Sequence, residues 1–234
     1  MIQSTYKGWN VLCCEDKIDW HLIDCVINQS GLDVIKCLKN DQRSLVLLVS
    51  HNGNRWVLKT PREKNRRKWI RFTTWIRKGE AFKTILNLDR LKCLGIPSNL
   101  PVLAVEKRHF GMVVDSRMVY TYRDGTRCNQ EHYELVVETL TKMHAQNILH
   151  GDPQIRNFIY HAGQILTIDC NPRRRWLGKI STSYELLYLE KSAPGISKYF
   201  EQQARSFPFQ IARAYIDLYW WWRSVKKRFR KRHG

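Results

Sequence analysis

The amino-acid sequence predicts an α+β chain of two lobes, a small antiparallel-sheet N-lobe with one helix followed by a mainly helical C-lobe. Three observations carry this expectation. Short β-rich runs joined by polar turns crowd into residues 32–59, and one of the turns is Asn52-Gly53; an Asn-Gly pair between apolar runs is the strongest short-range hairpin signal. Later in the chain, at Glu131–Gln146 and again near the C-terminus, apolar residues recur at three-to-four spacing, the period of an amphipathic helix. The chain has 234 residues, 43% of them hydrophobic, enough for one core or for two lobes sharing a cleft and too few for two independent domains. The expected division is 1–122 for the N-lobe and 123–234 for the C-lobe.

The first thirty residues carry little pattern, with a short helix expected at Asp19–Gln29. Strands are expected at Leu32–Leu38, Ser44–Val49 and Arg55–Lys59, the last ending in a lysine. A basic stretch, 62–78, follows with Trp69, Phe72 and Trp75 interleaved. Ala81, Ile85, Leu88 and Leu91 then set a helix over roughly 78–94, and Gly95-Ile96-Pro97 ends it. Two more strands are expected at Val102–Lys107 and Met118–Tyr122. The helix at Glu131–Gln146 is a core helix of the C-lobe, and His144 on it is a satisfied structural histidine. A hairpin of Phe158–Tyr160 and Ile165–Ile168 turns at Gly163. At the C-terminus Ile211, Tyr215, Leu218, Tyr219, Trp222, Val225 and Phe229 form one helical stripe, with three consecutive tryptophans and a run of Lys and Arg. That segment is either a last helix packed on the lobe or an aromatic, basic surface for a membrane interface.

Lys and Arg number 40 against 21 Asp and Glu, a formal charge of +19. A chain so basic seeks an anionic partner: nucleic acid, an acidic membrane face or a phosphorylated substrate. No nucleic-acid module motif is present, so no nucleic-acid partner is expected. The seven cysteines are scattered and no Cys-x-x-Cys pair occurs, which argues against zinc and for reduced thiols. No signal-peptide core opens the chain, and its longest aliphatic run, Leu45–Val49, is too short to span a bilayer. A cytoplasmic protein is expected.

The chemistry lies in Leu149-His150-Gly151-Asp152-Pro153-Gln154-Ile155-Arg156-Asn157, followed by Leu166-Thr167-Ile168-Asp169. An Asp in a turn, an Asn five residues on, and an Asp closing the next apolar run resemble the arrangement of protein-kinase-like phosphotransferases. Short oxygen ligands suit the magnesium that accompanies a nucleoside triphosphate. Asn157 and Asp169 are therefore the expected metal ligands. Asp152 is the expected base for the attacking hydroxyl. In the same comparison Lys59 would reach the α- and β-phosphates of ATP. Glu80 is either the acid that pairs with Lys59 or a solvated first-turn residue favoured by the helix dipole. The turn between the first two strands, Lys39–Gln42, has no glycine where many kinases place a Gly-rich loop. Nucleotide grip there is expected to differ. Arg173, Arg174 and Arg175 directly follow the proposed site; such a run is either a solvated face or an anion-binding group for the substrate.

Taken together, these segments resemble the lipopolysaccharide core heptose(II) kinase family of Gram-negative bacteria, a branch of the protein-kinase-like superfamily. The resemblance rests on Val57-Leu58-Lys59, Met143-His144, His150-Gly151-Asp152-Pro153, Asn157-Phe158, Ile168-Asp169 and the basic segment after it. It implies a protein-kinase-like bilobal fold and magnesium-dependent transfer of a phosphoryl group from ATP to a heptose of the inner core. The setting it implies is the cytoplasmic face of the inner membrane, with the enzyme held peripherally on an anionic surface. Carried over residue by residue, it makes Asp152 the base, Asn157 and Asp169 the metal ligands, and Lys59 the phosphate-binding lysine. Gln154 stands where many relatives carry His or Lys, Arg156 replaces a frequent Gly, and Cys170-Asn171 replaces the Phe-Gly of protein kinases. Rival readings are a kinase for another core sugar (Kdo) or for protein, and a non-catalytic, membrane-associated pseudokinase.

Overall fold

The computed structural model describes residues 1–14 and 18–232, with side chains for all of these except Lys64, Arg66 and 226–232. The chain divides into two compact units, Met1–Asp124 and Gly125–Gly234.

The first unit is built on a seven-stranded antiparallel sheet. Its strands are β1 (Ile2–Tyr6), β2 (Trp9–Cys13), β3 (Asp33–Asn40), β4 (Leu45–His51), β5 (Asn54–Thr60), β6 (Pro101–His109) and β7 (Met112–Thr121), in the order β1-β2-β6-β7-β5-β4-β3. Two of these strands, β1 and β2, lie in the stretch the sequence left unread, and β7 starts at Met112 rather than Met118. The one helix expected of this unit has three companions. It is α4 (Glu80–Cys93), and the others are α1 (Trp20–Asn28), α2 (Arg62–Arg66) and α3 (Lys68–Thr73).

Three hairpins of this sheet share one turn geometry. Lys7-Gly8, Asn52-Gly53 and Phe110-Gly111 each place both loop residues at positive φ, as a two-residue turn matched to strand twist requires.

The sheet is covered on both faces. On one, Leu22, Ile23, Val26 and Ile27 of α1 pack against Val11, Val49, Leu58, Val105 and Val119. Against the other, α4 lays Ala81, Phe82, Ile85, Leu88 and Leu91 on β6 and β7. The N-terminus of α4 has no side-chain cap of its own. Glu106 of β6, fully buried, accepts from Phe82 N at 3.1 Å in its place. A Cβ on Gly79 would stand 2.3 Å from the Glu106 carboxylate, so only glycine fits there. Burial pushes the Glu106 carboxyl above the usual range, against the pull of the Phe82 N–H and Arg108.

The second unit is mainly helical: α5 (Tyr133–Ala145), α6 (Lys179–Ser192), α7 (Glu201–Ala204) and α8 (Phe207–Arg232). Between them run short strands, β8 (Thr126–Arg127), β9 (Ile148–Leu149), β10 (Phe158–His161), β11 (Gln164–Thr167) and β12 (Arg173–Arg174). The expected β10–β11 hairpin pairs Phe158 with Thr167. On α8 the buried positions are Phe209, Ala212 and Ile216, whereas Ile211, Tyr215, Leu218 and Trp222 are exposed. Of the two readings of the apolar stripe, its exposure as far as Trp222 fits the outward-facing aromatic surface, while a different set of α8 residues packs. Phe229 and the basic side chains of 226–232 lie outside the described side chains. No helix among the described residues is long and apolar enough to cross a membrane.

Candidate active site

The Asp152 loop is fixed from beneath. After α5 the chain passes through β9 into His150, which is fully buried. Glu185 of α6, also buried, gathers three donors under the loop: His150 N at 2.9 Å, Gly151 N at 2.6 Å and His144 Nε2 at 3.0 Å. His144 is thus the satisfied structural histidine its helical position implied. Gly151 has φ +87, and a Cβ there would meet Asn171 O at 2.4 Å. The turn needs both the left-handed backbone and the missing side chain.

Asp152 is half-buried and held by two amides. Gln154 Nε2 donates to its Oδ1 at 2.7 Å, and Asn157 Nδ2 donates to its backbone O at 2.8 Å and its Oδ2 at 3.2 Å. The Asn157 nitrogen is therefore turned to Asp152, which leaves its oxygen as the lone-pair donor for a cation. The next hairpin is stitched to this loop: Ile168 N donates to Asn157 O at 2.8 Å, and Asn171 N to His150 O at 2.9 Å. Asp169 lies between those two stitches, exposed, with φ +50. Asp tolerates that left-handed conformation better than most residues. The structure thus brings Asp152, Asn157 and Asp169 onto two hydrogen-bonded neighbouring segments. An amide oxygen and a carboxylate are hard donors of the kind Mg²⁺ takes when it keeps its remaining positions for water and phosphate.

Burial pushes the His150 imidazole down to about 4, outweighing the opposing fields of Glu185, Asp152 and Asp169. The ring is neutral at pH 7. Asp152 N donates to its Nδ1 at 3.4 Å, so His150 supports the loop rather than exchanging protons with a substrate.

Beside Asp152 opens a cavity of about 290 Å³. The loop forms one wall with Leu149, Gly151 and Pro153; Tyr184 and Tyr188 of α6 and Tyr219, Trp220 and Arg223 of α8 form others. The three consecutive arginines separate. Arg173 lines the cavity. Arg174 lies over the Trp176 ring at 5.8 Å. Arg175 turns back to the end of α5, with Nη1 3.4 Å from His144 O. Residues alternate sides along a strand, so adjacent positions 173 and 174 of β12 diverge.

In the first unit, antiparallel registers place Ala104, Met118, Lys59 and Val46 in one row across β6, β7, β5 and β4. Residues in such a row share a face, and Glu106, two positions from Ala104, reaches α4 from that face. Lys59 therefore lies on the α4 side of the sheet, and Glu80 is the first residue of α4. Where a Gly-rich loop would stand, Asp41 Oδ1 instead accepts from Arg43 N at 2.9 Å and Ser44 N at 2.8 Å.

Glu185 and the aromatic wall of the cavity are functional elements that sequence reasoning missed. A lone acid beside Leu186, Leu187 and Leu189 was the available signal, since an acid within an apolar run needs a buried partner.

An antiparallel-sheet unit with its packed helix, then a mainly helical unit carrying this Asp–Asn–Asp arrangement, is the α+β fold of the protein-kinase-like class. The chain belongs to the family described as lipopolysaccharide core biosynthesis protein (WaaY), whose sequence model matches residues 1–183. It is 28% identical over 173 residues to the lipopolysaccharide core heptose(II) kinase WaaY of Escherichia coli, covering 70% of this chain and 74% of that one. Among solved structures, WaaP in complex with acyl carrier protein superposes with a TM-score of 0.55 at 18% identity, over 93% of this chain and 98% of that chain. The PknI kinase domain of Mycobacterium tuberculosis aligns at 0.48 and 15% identity, over 75% of this chain and 84% of that one.

Proposed function

We propose that this chain is an ATP-dependent kinase that phosphorylates heptose II of the lipopolysaccharide inner core. The observation that carries the reading is the Asp152–Asn157–Asp169 arrangement, with Asp152 in the wall of an aromatic, arginine-bearing cavity, in a chain of the WaaY family. The first unit is the nucleotide-binding lobe and the second the catalytic lobe.

The acceptor sugar lies in the cavity, its apolar ring face against Tyr184, Tyr188 or Trp220, and anionic groups of the core against Arg173 and Arg223. Asp152 accepts the proton of the attacking hydroxyl as its oxygen bonds to the γ-phosphorus, and ADP leaves. Asn157 and Asp169 would hold Mg²⁺, which would supply charge neutralisation for the transferring phosphoryl group. Lys59 contacts the α- and β-phosphates, and Glu80 pairs with it. Such transfer depends mostly on positioning and charge neutralisation.

The purified full chain should transfer ³²P from labelled ATP to core oligosaccharide lacking the heptose II phosphate, with the label on heptose by mass spectrometry. Label on Kdo or on protein would move the assignment to that acceptor. No magnesium-dependent label on any acceptor would leave the pseudokinase reading.

The acceptor is lipid-linked, and the surface fits an anionic membrane on the cytoplasmic face. Trp69, Phe72, Trp75, Ile76 and Phe110 are between 56% and 88% exposed. Their support is cross-linked by hydrogen bonds: Arg108 Nη1 donates to Thr74 O at 2.9 Å and Gly111 O at 2.7 Å. Exposed Arg67, Lys68, Arg77 and Lys78 flank them. Interfacial aromatics with flanking Lys and Arg suit an anionic headgroup layer. On phosphatidylglycerol-containing vesicles the full chain should co-sediment, and the combined Trp69→Ala, Phe72→Ala and Trp75→Ala variant should bind about tenfold or more weakly, as loss of this much apolar contact implies. Equal partitioning of both proteins would remove this surface from the proposal.

A further inference from the structure

We infer that the first unit carries a zinc-type metal site built from His21, Cys25, His51 and Asp19, which ties α1 to the end of β4. His21 and Cys25 are four residues apart on α1 and share one edge of the helix. Cys25 Sγ lies 3.9 Å from His21 Nδ1. His51 ends β4, and its ring stacks on that of His21 with centroids 5.2 Å apart. One donor atom from each of the three residues lies within 4.8 Å of the others. Asp19, the N-cap of α1, brings Oδ2 to 3.9 Å from His51 Nε2. Its other oxygen is already fixed by Leu22 N at 2.9 Å.

Two features separate this group from a fortuitous cluster. His51 is only 7% exposed, and its Nε2 has no hydrogen-bond partner. A buried polar atom without a partner is rare and asks for an explanation; the Asp19 carboxylate at 3.9 Å is too far to be one. The spacing is also right. Zinc bonds of about 2.0–2.3 Å in a tetrahedron put neighbouring ligand atoms about 3.3–3.6 Å apart. Cys25 Sγ to His21 Nδ1 and Asp19 Oδ2 to His51 Nε2, each 3.9 Å, are close to that value, and side-chain rotations that shorten the remaining separations, at most 4.8 Å among the His and Cys atoms, close the site. Two imidazoles, a thiolate and a carboxylate are a borderline donor set that favours Zn²⁺ over Mg²⁺ or Ca²⁺. Four protein ligands leave no open position, as in structural rather than catalytic sites. Binding releases the Cys25 thiol proton to solvent. The Leu22 N–H on Asp19 is the kind of outer hydrogen bond that orients a ligating carboxylate.

The full chain, stripped with chelator, is titrated with Zn²⁺ and, in parallel, with Co²⁺ as a spectroscopic probe. The expected result is about one zinc retained per chain through dialysis, a raised thermal midpoint with zinc, and a cobalt spectrum with a thiolate-to-metal charge-transfer band and the strong d–d absorption of tetrahedral coordination. His21→Ala and His51→Asn should each weaken binding about tenfold or more, and Cys25→Ser should abolish the charge-transfer band. Because His21 is exposed, His21→Ala keeps the fold and the test survives any instability of the buried variants. Zinc held equally by wild type and His21→Ala, a charge-transfer band that persists in Cys25→Ser, or no retained zinc at all would each overturn the proposal.

Discussion

Replacing Asp152 by Ala is expected to lower kcat for phosphoryl transfer by about 10²–10⁴-fold, the usual contribution of a positioned general base, with little change in the KM for ATP. That loss corresponds to about 3–5 kcal/mol of transition-state stabilisation. The expectation follows from what the side chain touches. Its Oδ1 accepts from Gln154 and its Oδ2 from Asn157, so the carboxylate is aimed by two amides and faces a cavity large enough for a sugar ring. Nothing in the fold hangs on the carboxylate itself, because the backbone of the loop is held separately by Glu185. The thermal midpoint of Asp152→Ala should therefore stay close to that of wild type. Gln154→Ala should cost less, about tenfold, because it loosens the orientation of the base and leaves the base in place. Steady-state kinetics with ATP and the core acceptor separate these outcomes. An Asp152→Ala enzyme within a factor of about three of wild type, below the smallest contribution expected of a general base, would mean that another group takes the proton.

How much of this was legible in the sequence depends on whether the signal is local. Asn52-Gly53 announced its hairpin because both residues favour positive φ. Lys7-Gly8 adopts the same turn, but a lysine in the first position gives no such signal, so β1 and β2 went unread. The fourth strand pairing, β6 with β7, turns at Phe110-Gly111, again without a turn residue in the first position, and β7 was placed too late. Helix α4 was readable from its apolar period and its glycine stop. On α8 the period left a packed helix and an exposed aromatic surface both open, because three consecutive tryptophans project on more than one side, and the burial of Phe209, Ala212 and Ile216 is decided by neighbours far away in sequence. The spacing of Asp152, Asn157 and Asp169 pointed to the protein-kinase-like class; the family came from a resemblance that also drew on Val57-Leu58-Lys59, Met143-His144 and the basic segment after Asp169, and the WaaY family match agrees with it. The cavity was not readable, since its walls come from α6 and α8, remote from the loop they face. The histidine–cysteine cluster escaped for the same reason: His51 comes from a strand, far from the helical pair.

Glu185→Ala is expected to destabilise the second unit as much as the loss of a large core side chain. A glutamate within a leucine run signals a buried partner without naming it; here the side chain is buried and takes three hydrogen bonds, two of them from backbone N–H groups of His150 and Gly151. Backbone donors have no side-chain signature, so only the structure reveals what the acid is for. Truncation to Ala leaves those two N–H groups and the His144 ring nitrogen buried without an acceptor, at a cost of about 1–3 kcal/mol each when fully orphaned. Partial relaxation brings the sum to about 3–5 kcal/mol, the range seen when one partner of a buried polar network is removed. For a chain of this size that is a fall in Tm of about 10 °C, measured by calorimetry or by circular dichroism. Glu185→Gln keeps one acceptor oxygen and should lose less. The two variants should also lose activity in the same order, because the turn that aims Asp152 rests on this carboxylate. If Glu185→Ala melts within about 2 °C of wild type, less than about 1 kcal/mol on the same scale, the loop is held by something else: then the stitches from Asn157 O to Ile168 N and from His150 O to Asn171 N must carry the support assigned here to α6.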